Sequence, residues 1–234
     1  MFARSERRAQ DPSGIVAGFS DATGAYLPLV CTLNASRVLD ATRRFLGVDH
    51  DELGRLALAA DRARAGWSWC PTWRARTPPA TGARTLCPKL ATRPRGTGPT
   101  RVGALHGWTL ASDRENLARA AIEGMLSAQR VGLEALREQG VTVSGVTLVG
   151  GAARSEAVCR IAAQVFEVPV RVPEPGEYVA DGAARQAAWS LHGGATPPSW
   201  SAGAEPARYE AEPAPAAWER YREAAGAFLD RVAA

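Results

Sequence analysis

At 234 residues, 46% hydrophobic and 22% charged, the chain is long enough for one large domain or two small ones with a real core. No run of about 18 apolar residues argues for a membrane span, and Met1-Phe-Ala-Arg-Ser-Glu-Arg-Arg8 lacks the apolar centre of a signal peptide. Cys31, Cys70, Cys87 and Cys159 show no Cys-x-x-Cys spacing and the three histidines do not cluster, so neither a metal centre nor a disulfide framework is expected, and a reducing cytoplasm is the expected compartment.

The net charge of +4 is unevenly placed. Between Arg62 and Ser112 stand eight Arg and one Lys with no Asp or Glu; without those nine charges the chain has 19 basic residues against 24 acidic ones. The basic character therefore belongs to one segment.

In chain order, residues 14–30 read as a strand, a turn at Asp21-Ala-Thr-Gly24 and a second strand. A helix is expected from about Asn34, with Val38, Leu39, Thr42, Phe45 and Leu46 on one face and Gly47 as its stop. Asp49 and Glu52 have capping-box spacing before Leu53, Leu56 and Ala57. From Arg62 to about Arg101 periodicity vanishes, and three of the seven Trp fall at 67, 69 and 73. Ser112 and Glu115 form another capping-box spacing, opening a long helix to Gln139 that Gly140 stops. Its apolar stripe is Leu117, Ala121, Gly124, Met125, Ala128 and Leu136.

The stretch Val146-Thr-Leu-Val-Gly-Gly-Ala-Ala-Arg-Ser155 is the most informative. A β-branched apolar run, 143–149, ends in Gly150-Gly151, and a helical pattern over 155–166 buries Val158, Ile161, Ala162 and Val165. Strand, tight turn and helix start suit a phosphate or nucleotide, because glycines admit a ligand close to the backbone and the first N–H groups of a helix point at it. The same layout serves equally as a packing turn. It is neither Gly-x-Gly-x-x-Gly nor a P-loop, since no Lys-Ser/Thr follows the glycines. A strand at 168–172 and a helix over Tyr178–Leu191 follow; 193–215 is Gly/Pro/Ala-rich and reads as a linker. A last helix over 216–234 carries Trp218, Tyr221, Ala225, Phe228 and Val232 as a packing face.

Several of these stretches resemble one family, in order along the chain. Pro12-Ser-Gly14, Gly18-Phe-Ser-Asp-Ala-Thr-Gly24 and Leu27-Pro-Leu-Val-Cys-Thr-Leu-Asn34 are similar to the C-terminal domain of bacterial xylulokinases, members of the FGGY carbohydrate kinases. So are Leu117-Ala-Arg-Ala-Ala-Ile-Glu-Gly124, Val149-Gly-Gly-Ala-Ala-Arg-Ser155 and Pro173-Glu-Pro-Gly-Glu-Tyr-Val-Ala-Asp-Gly-Ala-Ala-Arg-Gln-Ala187. The resemblance covers most of 2–61 and 103–192.

It implies an α/β, actin-like (ribonuclease-H-like) ATPase domain over 14–192, with an irregular basic insert at 62–101, a remnant of a preceding segment at 1–13 and the C-terminal helix. It implies a cytoplasmic phosphotransferase that moves a phosphoryl group from MgATP to D-xylulose, with ATP and Mg²⁺ as cofactors and ATP/ADP and the sugar as partners; a homodimer is compatible with it. Gly150, Gly151, Ala152 and Ala153 would lie beside the adenosine and its phosphates, with Arg154 and Ser155 flanking them. Tyr178–Ala184 would pack the helix closing the adenine side. Arg154 also reads as a solvated charge at a helix start. The family's N-terminal domain supplies the Asp that takes the proton from the sugar hydroxyl, and none of this chain's aspartates stands in that motif. The chain is therefore expected to supply the nucleotide-side domain only, as a truncated kinase, an inactive nucleotide-binding fragment or a pseudogene product, with sugar use requiring an N-terminal domain from elsewhere.

At 62–101 the family has an apolar strand where this chain has Arg62-Ala-Arg-Ala-Gly-Trp-Ser-Trp-Cys-Pro-Thr-Trp-Arg-Ala-Arg76. Two readings compete: an out-of-frame translation, or a basic arm with Arg for phosphates and Trp for stacking on nucleic acid. The first explains the composition without a partner. Trp ends in G and Ser codons of one class begin TC, so the Trp67–Ser68 junction reads Val in the shifted frame; Trp69–Cys70 likewise reads Val. Translating the gene from the last base of each codon over Asp61–Ala75 is expected to give Pro-Gly-Ala-Gly-Gly-Leu-Val-Leu-Val-Pro-Tyr-Leu-Glu-Gly. If no compensating pair of single-base changes brackets codons 62 to 102, the reading is wrong.

Overall fold

The computed structural model describes residues 1–32, 35–60, 68–70, 104–200, 203–210 and 213–233. Strands β1 (Ala17–Ser20) and β2 (Tyr26–Leu29) form an antiparallel hairpin in the register Ala17↔Leu29 to Ser20↔Tyr26. Asp21 closes its turn by accepting from the N–H groups of Thr23 and Ala25, and Gly24 takes the positive φ of 87° that the reversal needs. Residues 1–5, expected as a remnant, are tied to the other side of β2 through the bridges Phe2↔Leu29 and Ser5↔Tyr26.

Helix α1 (Ser36–Leu46) ends at Gly47 in the left-handed region, and Asp49 caps α2 (His50–Ala59) by accepting from Glu52 N–H at 2.8 Å, as the spacings require. Strands β3 (Ser68–Cys70) and β4 (Ala104–His106) pair antiparallel. The rest of the expected irregular insert 62–101 lies outside the described residues.

The long helix α3 (Arg114–Glu138) starts one residue later than its capping-box spacing suggests. Ser112 Oγ is already engaged as acceptor for Thr109 N–H at 2.8 Å, while Asp113, in extended backbone, accepts from Asn116 N–H at 2.7 Å. The carboxylate next in line is the better partner for the helix N-terminus.

Pairing of the expected strand 143–149 is confined to β5 (Val146–Thr147), parallel to β6 (Val170–Val172). Between them run a 3₁₀ turn (Gly151–Arg154) and α4 (Glu156–Phe166). Helix α5 (Tyr178–His192) follows. The segment 193–215 is not a plain linker. It contains β7 (Ala207–Tyr209), antiparallel to β6 with Tyr209 opposite Val170. It also returns Trp200 onto α5, where the indole N–H donates to Asp181 at 2.8 Å. A three-residue strand has too little pattern to be visible against Gly, Pro and Ala; its partner β6 decides it. Helix α6 (Pro215–Ala233) closes the chain and packs inward through Ala217, Tyr221 and Ala224.

The core is organised on α3. Residues 116–127 of this helix are buried on every side, against α1, α2 and α4. Its Ile122, Met125 and Leu126 meet Leu53 and Leu56 of α2 and Val158, Ile161, Val165 and Phe166 of α4. Ala118, Ala121 and Gly124 keep the helices close.

A helix buried all round must dispose of its long polar side chains, and α3 does so in two networks. Arg119 donates to Glu123 at 2.7 Å and to Gln164 of α4 at 2.8 Å. Arg130 donates to the Val165 carbonyl at 2.6 Å, to Glu167 at 3.0 Å and to Glu134 at 3.2 Å, with its guanidinium 4.9 Å from the Trp218 ring centre. One side chain thus holds the last turn of α4, its left-handed cap Glu167 (φ 57°) and the face of α6. Removing it leaves the buried Val165 carbonyl without this donor and Glu167 without this cation, while Glu134 keeps Arg137. We expect Arg130→Ala to cost about 1–3 kcal/mol in urea denaturation, against less than about 1 kcal/mol for Arg137→Ala, whose pair with Glu134 is at the surface.

Candidate functional site

The turn after β5 holds the six residues that the sequence reading expects at a ligand site. Val146 N–H and Leu148 N–H donate to the carbonyls of Pro169 and Arg171, which fixes where β5 ends. The chain then reverses at Gly150, with φ 101° and ψ −176°, a conformation closed to other residues without strain. Gly151–Arg154 wind into one 3₁₀ turn, in which Ala153 N–H donates to Gly150 O at 3.1 Å. Ser155 then sits at the N-cap of α4, its Oγ facing Val158 N–H at 3.5 Å.

All six expected site residues are therefore contiguous in space as well as in sequence. Gly150, Gly151 and Arg154 are exposed, and Ala152, Ala153 and Ser155 half-buried. Apart from adjoining residues of the chain, no heavy atom lies within 4 Å of where a Cβ would stand on Gly150 or Gly151, so the backbone is open on that side. The back of the turn is closed. A Cβ at Gly54 of α2 would stand 3.3 Å from Ser155 Oγ, so α2 packs directly behind the start of α4.

Three residues that the sequence did not single out support the turn from behind. Cys159, buried on α4, donates its thiol to Ala153 O at 3.2 Å, and burial pushes the thiol pKa up. Glu156, the first residue of α4, accepts from Tyr209 of β7 at 2.7 Å and from Arg160 at 2.7 Å. Glu156 and Arg160 have the i,i+4 spacing of a surface helix pair, a signal visible in the sequence. Tyr209 is 53 residues away, and nothing local announces it.

The other expected site feature is placed differently. No residue of α5 is buried, and Val179 is 89% exposed. Within Tyr178–Ala184 the described contacts are the Tyr178 hydroxyl to Glu174 O and Trp200 N–H to Asp181. A cavity of about 940 Å³ opens between Arg8–Pro12 and the β1–β2 hairpin, and none of the six turn residues lines it. The described residues contain no group of three or more His, Cys, Asp and Glu suited to a metal ion, and none of their helices is long and apolar enough to cross a membrane.

Residues 34–191 match the family model for the FGGY family of carbohydrate kinases, C-terminal domain. The chain belongs to this family. The FGGY match brackets the turn and every helix from α1 to α4. The chain is 32% identical over 232 residues to a xylulose kinase of Streptomyces coelicolor, covering 99% of this chain and 39% of that protein. Among solved structures it resembles the xylulose kinase from Bifidobacterium adolescentis, with a TM-score of 0.74 and 42% identity over 95% of this chain and 41% of the other. Plasmodium falciparum glycerol kinase, solved with ADP, shares the fold at a TM-score of 0.71 and 12% identity, covering 98% of this chain and 44% of that one. The fold is thus that of an FGGY C-terminal domain, of the actin-like ATPase type, and the chain spans less than half the length of the relatives it matches.

The Tyr209–Glu156 bond has a pH signature. Glu156 holds the Tyr209 phenol up at about 12, against an ordinary 10, and Tyr209 and then Arg160 hold the Glu156 carboxyl below its ordinary 4.5. The phenol's contribution to stability is complete below pH 10 and is lost as pH rises through about 12. The carboxylate's is complete above 4.5 and is lost as pH falls through its lowered value. The stability difference between the natural protein and Tyr209→Phe, read from urea midpoints, should be level between those limits and shrink beyond each.

Proposed function

We propose that this chain is the nucleotide-side domain of a xylulokinase-type sugar kinase, with Gly150–Ser155 as the wall against which the phosphates of ATP or ADP lie. What supports the reading above all is Gly150: a glycine at φ 101°, open on its outer side, at the strand–helix junction of a span that matches a carbohydrate-kinase domain. Anion recognition would fall to the backbone N–H groups of the turn other than those of Ala153 and Ser155, which donate to Gly150 O and Ala152 O. Arg154, exposed beside them, adds a cation. Ser155 is the residue least free to serve, because its hydroxyl faces the N–H of Val158.

In the complete reaction ATP would supply the phosphoryl group, and Mg²⁺ would offset the charge of its phosphates. The described carboxylates do not assemble a metal-binding set of this chain's own. The carboxylate nearest to the turn in sequence, Glu156, is held by Tyr209 and Arg160, so it is not a free base for a sugar hydroxyl. The general base and most sugar contacts are assigned to a domain outside this sequence. D-xylulose as acceptor rests on the xylulose kinases among the relatives.

The purified chain is expected to bind MgADP in a calorimetric titration without sugar, and not to turn over ATP when D-xylulose is added. Gly150→Val should weaken MgADP binding about tenfold or more, through backbone strain of order 1–3 kcal/mol. Failure of the unsubstituted chain to bind nucleotide would sink the proposal, and xylulose-dependent turnover would sink its second half.

A further inference from the structure

Strand β7 lies beyond the span that matches the family model, which stops at residue 191. It is nevertheless the segment that reaches back to the glycine turn. Its backbone is fixed by pairing with β6, Tyr209 standing opposite Val170. From that position the Tyr209 hydroxyl donates to Glu156 at 2.7 Å and stands against the Cys159 thiol. Of those two residues, Cys159 bonds to the turn, donating to Ala153 O at 3.2 Å, and Glu156 adjoins it, opening α4 directly after Ser155.

The outer face of the turn is open at Gly150 and Gly151, where no side chain packs. Its shape is therefore set by what stands behind it. α2 supplies a steric stop through Gly54, and β7 supplies the hydrogen-bonded brace.

We infer that Tyr209 is a positioning residue for nucleotide binding: through Glu156 and Cys159 it keeps the Gly150–Ser155 turn in the shape that receives phosphate. This deepens the proposed function and rests on it. It also gives the chain beyond residue 191 a part in the site. Binding energy spent on ordering a loose turn is lost to affinity, so a preformed turn binds more tightly than one that must be ordered.

The test is MgADP titrated into the full chain and into Tyr209→Phe, Glu156→Ala, Glu156→Gln and the Tyr209→Phe/Glu156→Ala double variant, with thermal midpoints recorded for each. Tyr209→Phe and Glu156→Ala should each weaken binding on the order of fivefold, and the double variant no further than the worse single one. Glu156→Gln keeps a carbonyl oxygen that accepts from the phenol, so it should bind within about twofold of the natural protein. A merely structural bond would lower the midpoints and leave affinity in the folded range unmoved; that result overturns the inference. So does Glu156→Gln falling as far as Glu156→Ala, since charge and not the bond to Tyr209 would then matter. If Tyr209→Phe does not fold, the two Glu156 variants decide. No binding by the unsubstituted chain overturns the proposed function itself, and this inference with it.

Discussion

The burial of α3 is the constraint on which the rest of this structure depends. A helix with twelve consecutive buried residues, 116–127, needs partners on every side, and it finds them in α1, α2 and α4. Such a helix cannot leave its arginines unpaired, because an isolated guanidinium in the interior costs far more than the apolar contacts around it return. Arg119 and Arg130 are therefore threaded into acceptors on the next helix: Gln164, the Val165 carbonyl and Glu167. These bonds fix α4 along α3 and about its own axis, which a greasy Ala, Ile and Val face alone would leave free to slide.

The position of the glycine turn follows from that arrangement. α4 is fixed at its C-terminal end by Arg130, so its N-terminal end is directed to one place, beside α2 and above the end of β5. Gly54 admits Ser155 and Ala157 close to α2, and Gly150 turns the chain from strand to helix within one residue. The turn is thus backed by the packed helices α2 and α4 and exposed at Gly150 and Gly151.

Much of this was legible in residues close together in sequence. Gly47 and Asp49 mark the end of α1 and the start of α2, because a left-handed cap and an Asp acceptor are decided within one turn of chain. Val158, Ile161, Ala162 and Val165 mark the buried face of α4 for the same reason, as period and packing coincide. Ser112 misled because its hydroxyl was already bonded within the preceding turn, leaving Asp113 to cap α3. The six turn residues were legible as a strand–turn–helix junction, though the 3₁₀ turn within it was not. β7 was hidden, since three residues of Ala-Arg-Tyr carry no period and only the free edge of β6 makes them a strand.

By itself, then, the sequence determined the helices, most caps, the glycine junction and the family to which the chain belongs, all of them properties of short-range spacing. The tertiary structure alone decided which side chains stand behind the junction. Tyr209 meets Glu156 across 53 residues, and Arg130 meets Val165 across 35. Such contacts depend on where two separately formed elements come to rest against a shared core, and no local pattern of residues records that.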